Sequence, residues 1–382
     1  MDTSIYFDYC ATTPVHPAVK EAMIPALEGM FGNPSSMHGA GMAAKRAVET
    51  ARDLVADGIG ADREEIIFTS GATEATNLAL IGSASLLARG KNHIITSSIE
   101  HHASLHTVEA LASRGYQVTI LPVDNQGIVS PETIEAAVRP ETGLLSIMMV
   151  NNEVGSVQDI AAIGRIAREH EIIFHTDIVQ AVNCFAIDVD LLNVDMLSLS
   201  GHKIYGPKGV GALYVRAGTH LDPILFGGAQ EGSLRPGTEN VPGIIGLGAA
   251  MALRNDDYEI RYSRLVELRA ELISVIGEFS EKAVVNGPTG KKVAPHVLSV
   301  SFPDTNGELL MFHLNQNGVA VSMGSACTSQ SIEPSHVLLA MGLTEKQIEG
   351  TLRISIGEFT TREEIHQFGE ILYNVLPGSS MA

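Results

Sequence analysis

Between residues 65 and 215 the chain alternates short apolar runs with longer stretches of helical periodicity, and no other feature restricts its fold as much. Residues 65–69, 93–97, 116–121, 144–150, 172–176, 195–199 and 209–215 read as strands, with helical patterns from Thr73, from Ala103 and over 160–170. Strands separated by helical stretches of roughly ten to fifteen residues need crossover connections, which build a mostly parallel sheet flanked by helices. Such a sheet places ligands at the carboxyl ends of its strands. After about Pro242 the texture changes to a long amphipathic helix over 258–282, apolar runs at 296–302 and 352–356, and a last helix near 362–376. The expected fold class is therefore α/β, with a large domain built on that sheet and a smaller α+β domain.

Apolar residues make up 45% of the 382, enough for large cores, and charged residues only 18%, which argues against a disordered chain or a coiled coil. The net charge of −19 disfavours direct binding to nucleic acid or to an anionic membrane surface. No apolar run approaches the ~20 residues of a membrane span. The start, residues 1–8, lacks the pattern of a signal peptide, so the expected location is cytoplasmic. Three cysteines, Cys10, Cys184 and Cys327, cannot form a disulfide scaffold, and no His/Cys spacing matches a zinc signature. The expected metal content is none.

Three segments that follow strands carry residues suited to chemistry. At Ser70-Gly71-Ala72-Thr73-Glu74 a glycine turns the chain into a helix whose first N–H groups suit a phosphate. The same residues also read as an ordinary helix start capped by Ser70 or Thr73. Asp177 sits just past a buried strand, where it either points into the ligand crevice or caps a helix. Lys203 follows another strand within a glycine-rich segment, as an amine nucleophile, a phosphate contact or a solvated lysine, which is how Lys208 reads. Together, a phosphate cradle, a strand-end acid and a strand-end lysine suit pyridoxal 5′-phosphate, whose ring nitrogen needs an acid partner. His101, after a further strand, is placed to stack on that ring; a surface histidine pair or a metal site is the alternative. Cys327 lies among small residues as the most reactive-looking thiol, while Cys10 and Cys184 have neighbours that suit packing.

Ten segments, among them FTSGATEATN, NNEVGSVQDI, SGHKIYGPKGVGALY, GSACTSQSIEPSHVL and LRISIGEFTT, give the chain its resemblance to the cysteine desulfurases. These are pyridoxal phosphate enzymes of fold type I in the class V aminotransferase family, and the likeness is to the nitrogen-fixation and iron–sulfur-assembly type. It implies that Lys203 attaches the cofactor, Asp177 pairs with the ring nitrogen, Gln180 bonds the ring hydroxyl and His101 stacks on the ring and moves protons. Ala72, Thr73, Ser200 and His202 would hold the phosphate, joined by Thr238 from the partner subunit of a homodimer. Asn152 would contact both cofactor and substrate, and Arg353 would take the carboxylate of L-cysteine. Cys327 would attack the substrate sulfur, giving L-alanine and a persulfide for a sulfur-acceptor protein. The expected division is a large cofactor-binding domain over 15–255 and a small domain, over 1–14 and 256–382, carrying Cys327. The acceptor stays open between iron–sulfur assembly, tRNA thiolation and DNA phosphorothioation, and the same fold also hosts selenocysteine lyases and aminotransferases. Ile178 replaces the family's alanine, an expected increase in bulk beneath the ring. Phe226, Gly232 and Pro236 depart from a segment expected to border the partner's site. The chain ends soon after its last helical stretch, so a long acceptor-docking tail is not expected.

Overall fold

The computed structural model describes residues 5–376 apart from 89, 256–257, 281 and 325–333. Strand β1 (Ile5–Tyr6) opens this range, and seven strands then form the main sheet: β2 (Ile66–Thr69), β3 (His93–Ser97), β4 (Gln117–Leu121), β5 (Thr142–Ser146), β6 (Ile173–Asp177), β7 (Met196–Ser200) and β8 (Gly211–Val215). Their order is β2-β8-β7-β6-β5-β3-β4. Every pair from β7 to β4 is parallel, and β8 runs antiparallel to both β7 and β2. A second, antiparallel sheet joins β9 (Val284–Asn286) and β10 (Val297–Ser301) to β12, while β11 (Val319–Ala320) pairs with β1. Strand β12 spans Thr351–Ser355. The α/β class expected from the sequence is the one found.

The sheet is apolar on both faces because helices cover both. Successive residues alternate between two cores, as strand geometry requires. Ile94, Leu144, Met196 and Leu213 pack with the helix Ala72–Ala84, whereas Ile95, Leu145, Leu197 and Ala212 join the core under the helices Gly39–Asp57 and Val241–Asn255. The outermost strand, β4, keeps polar Gln117 and Thr119 on its less buried length, which suits an edge. A separate core gathers Phe302, Leu352, Ile354 and Phe368 with the helices Tyr258–Phe279 and Arg362–Val375, and Ile5 and Phe7 from the start of the chain belong to it.

One strand departs from expectation. The apolar run at 144–150 predicts a strand to Val150, but β5 leaves the regular ladder after Ser146. Its neighbour β3 ends at Ser97, so the Met148 N–H has no strand beside it on that side. The Glu100 carboxyl takes that place, accepting from Met148 N with both oxygens at 3.0 Å and from Ser97 Oγ at 2.5 Å. Burial lifts the Glu100 pKa from 4.5 to about 8, with the Ser97 and Met148 hydrogen bonds pulling the other way. Because the folded pKa is the higher one, the protein loses stability as pH rises from 4.5 to about 8. Glu100→Gln removes that loss, so its advantage over wild type in thermal melting should grow across this window. Glu100→Ala leaves the buried Met148 N–H unpaired and should cost about 1–3 kcal/mol below pH 4.5, a cost relative to wild type that shrinks as pH rises because the titrating acid is gone too. An advantage of Glu100→Gln that shrinks as pH rises would contradict the assignment.

Candidate active site

At the carboxyl edge of the main sheet lies a cleft of about 640 Å³ whose lining includes Cys10, Thr73, His101, Asn152, Asp177 and Lys203. Each strand-end residue enters it by the alternation already described. Asp177, the last residue of β6, is 6% exposed and faces the cleft, with Val179 beside it. Ile178 points the other way and is fully buried in the core, so its bulk is absorbed by packing and does not lie beneath a ring. No regular helix follows Asp177. Its Oδ1 accepts from Val179 N at 2.8 Å within the turn. Burial lifts the Asp177 pKa from 3.8 to about 6, against the Val179 hydrogen bond and the Lys203 charge.

The segment after β2 settles the question of the helix start. Gly71, not Ser70 or Thr73, occupies the capping position of the helix Ala72–Ala84, and no side chain caps it. Glu74 turns its carboxylate to Ser70 N at 2.9 Å and to Arg235 Nε at 2.8 Å. Ala72 and Thr73 line the cleft with Ser200 and His202, giving an uncapped helix start beside a hydroxyl and an imidazole. Strand β8 passes very close here, since a Cβ on Gly211 would lie 2.7 Å from Gly71 Cα.

Lys203 ends the short turn Gly201–Lys203 after β7, and its Nζ donates to the Cys10 carbonyl. Gln180 Nε2 donates to the same carbonyl at 3.0 Å, while Gln180 Oε1 accepts from His296 Nε2 at 3.1 Å. The segment Cys10–Thr12 thus forms one wall of the cleft. Burial raises the thiol pKa of Cys10, and lifts that of Cys184 to about 12, which leaves both as thiols at neutral pH. Lys208 is exposed but stands at the rim, closer to the site than its reading as a solvated lysine implied.

His101 caps the helix His102–Ser113, its Nδ1 accepting from Ala103 N at 3.1 Å, which assigns the ring proton to Nε2. Burial, then the Lys203 charge and nearby histidines, lowers its pKa to about 4, so the ring is neutral at pH 7. His102 packs its ring on His106 and His336, with centroids 4.9 and 4.8 Å away. Among the described residues no group of three or more His, Cys, Asp or Glu is arranged to hold a metal.

Arg353, on β12, is 2% exposed and reaches the cleft from the second sheet. Its Nη2 donates to Asp8 Oδ1 at 3.0 Å and its Nη1 to the Asn152 carbonyl at 3.1 Å, while Nε is buried without a partner. Ala72, Thr73, His101, Asn152, Asp177, Gln180, Ser200, His202, Lys203 and Arg353 therefore line one cleft. Thr238 is exposed and is absent from this lining, and Cys327 falls outside the described residues. The segment before Thr238 is fastened by Glu231, which grips Arg52 at 2.7 and 2.8 Å and accepts from Phe68 N at 2.8 Å. Sequence reasoning gave no role to Asp8 or Glu153, because each acts through a partner remote in sequence.

This donor set fits pyridoxal phosphate. A buried acid raised by desolvation is short of a positive partner, an amine stands across the cleft, and an uncapped helix start offers N–H groups to a phosphate. The aminotransferase class-V family model matches residues 5–368. A cysteine desulfurase IscS of Methanosarcina thermophila is 48% identical over 98% of this chain and 92% of its own length. A solved NifS-like protein superposes with a TM-score of 0.91 at 38% identity, covering 97% of this chain and 98% of its own. The solved SspA in complex with cysteine gives a TM-score of 0.82 at 41% identity, covering 94% of this chain and all of its own.

The raised Asp177 pKa has a consequence that can be measured. Ionising this acid in the cofactor-free protein costs on the order of 3 kcal/mol, a cost that sets in as pH rises from 3.8 and is complete above about 6. Asp177→Asn should therefore melt no lower than wild type at pH 8 without cofactor, yet produce alanine from cysteine at least ~100-fold more slowly. A lower melting temperature with normal turnover would reduce Asp177 to a structural turn residue.

Proposed function

The chain belongs to the aminotransferase class-V family and is a pyridoxal-phosphate-dependent L-cysteine desulfurase, and from that premise we propose how its own residues carry the reaction. The observation that supports the assignment most is the meeting of Lys203, Asp177, His101 and Arg353 in one cleft, although the first three follow or end three separate strands of the main sheet and Arg353 lies within β12 of the second sheet. Pyridoxal phosphate, when bound, supplies an electron sink for negative charge developing on the substrate's α-carbon. Asp177 holds positive charge at the ring nitrogen, and Gln180 bonds the ring hydroxyl. The N–H groups of Ala72 and Thr73, with Ser200 and His202, hold the phosphate. Lys203 supplies the amine that attaches the cofactor. His101, a neutral imidazole with its proton at Nε2, lines the cleft where it would face the ring.

Arg353 and Asn152 take the carboxylate of L-cysteine. The Asp8 carboxylate and the Asn152 carbonyl already hold the Arg353 guanidinium in place, so little side-chain entropy is lost on binding. The Cys327 thiolate then attacks the substrate sulfur. A sulfur–sulfur bond forms as the carbon–sulfur bond breaks, and the carbon takes up a proton and leaves as alanine. The persulfide on Cys327 passes its outer sulfur to an acceptor protein in iron–sulfur cluster assembly. Neither Cys10 nor Cys184 serves this role, since burial keeps both thiols protonated.

The acting form is a homodimer in the cytoplasm, in which Thr238 completes the phosphate site of the second copy. The exposure of Thr238 supports this, as do Phe31, Met37 and Phe226, exposed at 91%, 94% and 89%. Among the described residues no helix is long and apolar enough to cross a membrane. Residues 15–255 form the cofactor domain, and 1–14 with 256–382 form the small domain.

Mass spectrometry after a single turnover with cysteine tests this reading. The peptide containing Cys327 should gain one sulfur atom, and Lys203→Ala should abolish alanine release. Cys327→Ser should still change the visible spectrum on mixing with cysteine but release no alanine. Normal alanine release from Cys327→Ser, with the extra sulfur on Cys10 or Cys184, would overturn the nucleophile assignment.

A further inference from the structure

Glu153 is 1% exposed, lines the cleft and takes no part in the chemistry described above. It sits in the turn that follows Asn152. The Asn151 side chain shapes this turn, its Oδ1 accepting from Glu153 N at 2.8 Å and from Val154 N at 3.0 Å, while its Nδ2 donates to Ile99 O at 2.9 Å. The turn is therefore rigid, and the direction of the Glu153 side chain is fixed with it.

Two residues remote in sequence meet that carboxyl. Ser335 Oγ donates to Glu153 Oε2 at 2.5 Å, and the same Oγ caps the helix His336–Ala340 by accepting from Leu338 N at 3.2 Å. Gly324 comes close to the same oxygen. A Cβ there would lie 2.7 Å from Glu153 Oε2 and 3.5 Å from Ser335 Cβ, and its φ of +28° also disfavours a side chain. Gly324 and Ser335 thus both lie close to the same carboxyl. Just before Gly324, Ser322 exchanges backbone hydrogen bonds with Arg353, with N to O distances of 3.1 and 2.6 Å. Arg353 in turn bonds the Asn152 carbonyl at 3.1 Å. A buried carboxyl needs compensation, which Ser335 supplies at one flank of the segment, while Gly324 at the other flank packs close against the same oxygen.

We infer that Glu153 is a positioning residue: its carboxyl, bonded to Ser335 and packed against Gly324, sets where the two flanks of the segment containing Cys327 meet the turn that takes the substrate carboxylate. The inference rests on the proposed role of Cys327. Substrate binding through Asn152 and Arg353 and delivery of the thiol then share one rigid turn. Loss of the clasp spares the first and impairs the second. Displacing a reacting group by ~1 Å can cost about 100-fold in rate, so the effect falls on kcat.

The test compares Glu153→Ala, Glu153→Gln, Ser335→Ala and Ser335→Thr in the cofactor-loaded full chain. Melting temperature and the spectral change on cysteine binding serve as controls. Glu153→Ala and Ser335→Ala should lower the single-turnover rate of persulfide formation at least ~10-fold, with KM for cysteine within about twofold of wild type. Glu153→Gln, which keeps an acceptor, and Ser335→Thr, which keeps the hydroxyl, should recover most of that rate. In the cofactor-free protein, Glu153→Ala should speed hydrogen exchange in residues 336–341. A loss in Ser335→Ala alone would reduce the contact to a helix cap, and a parallel fall in binding and rate would reduce Glu153 to a structural acid. Either result overturns the inference. Cys327→Ser, run alongside, separates the two levels. If it still forms persulfide, the nucleophile assignment fails. If it is inactive while Glu153→Ala and Ser335→Ala keep the wild-type rate, only the clasp fails.

Discussion

Asp177 is an acid held where its charge is expensive, and the rest of the site is arranged around that fact. Burial at the end of β6 lifts its pKa to about 6, and the Val179 N–H and the Lys203 charge offset only part of the cost. A protonated ring nitrogen placed ~4 Å away would contribute about 4 kcal/mol at an effective dielectric of 20, before desolvation. The cofactor therefore relieves a strain that the fold has already built. Paired in this way, its ring nitrogen would stay protonated, the state in which the ring withdraws electrons. The parallel sheet makes this possible, because the carboxyl ends of the adjacent strands β6 and β7 bring Asp177 and Lys203 to one edge.

The Cys10 carbonyl is the second organising point. It accepts from Lys203 and Gln180, and Cys10 N donates to Ser355 Oγ at 2.9 Å on β12. The start of the chain thus joins the main sheet to the smaller one beside the cleft. Asp8 extends the join by holding Arg353. Arg353 enters the cleft from the second sheet and Asp177 and Lys203 from the first, so the cleft exists only where both cores are formed.

Periodicity made the strands legible, and strand ends made Asp177, Lys203 and His101 legible as candidates. Taken together they suggested a pyridoxal phosphate site, and the resemblance fixed that reading, while the roles of Asn152 and Arg353 came from resemblance alone. Spacing alone left each balanced against a cap, a turn or a salt bridge. What the sequence hid was the set of buried partners. Glu153 and Ser335 lie 182 positions apart and Glu100 and Met148 lie 48 apart, and no local pattern announces either pair. The early end of β5 was hidden for the same reason, since it follows from where β3 stops. Ile178 was misjudged because the chain's alternation continues one residue past the strand and turns that side chain into the core.

The central claim is that Asp177 keeps the cofactor's ring nitrogen protonated. Nitrogen-15 NMR of the loaded enzyme, carrying ring-labelled pyridoxal phosphate, measures this directly. A pyridinium resonance that holds from roughly pH 6 to 9, and is lost in Asp177→Asn, is the expected result. A neutral-pyridine resonance in the wild-type enzyme at pH 7 would contradict it.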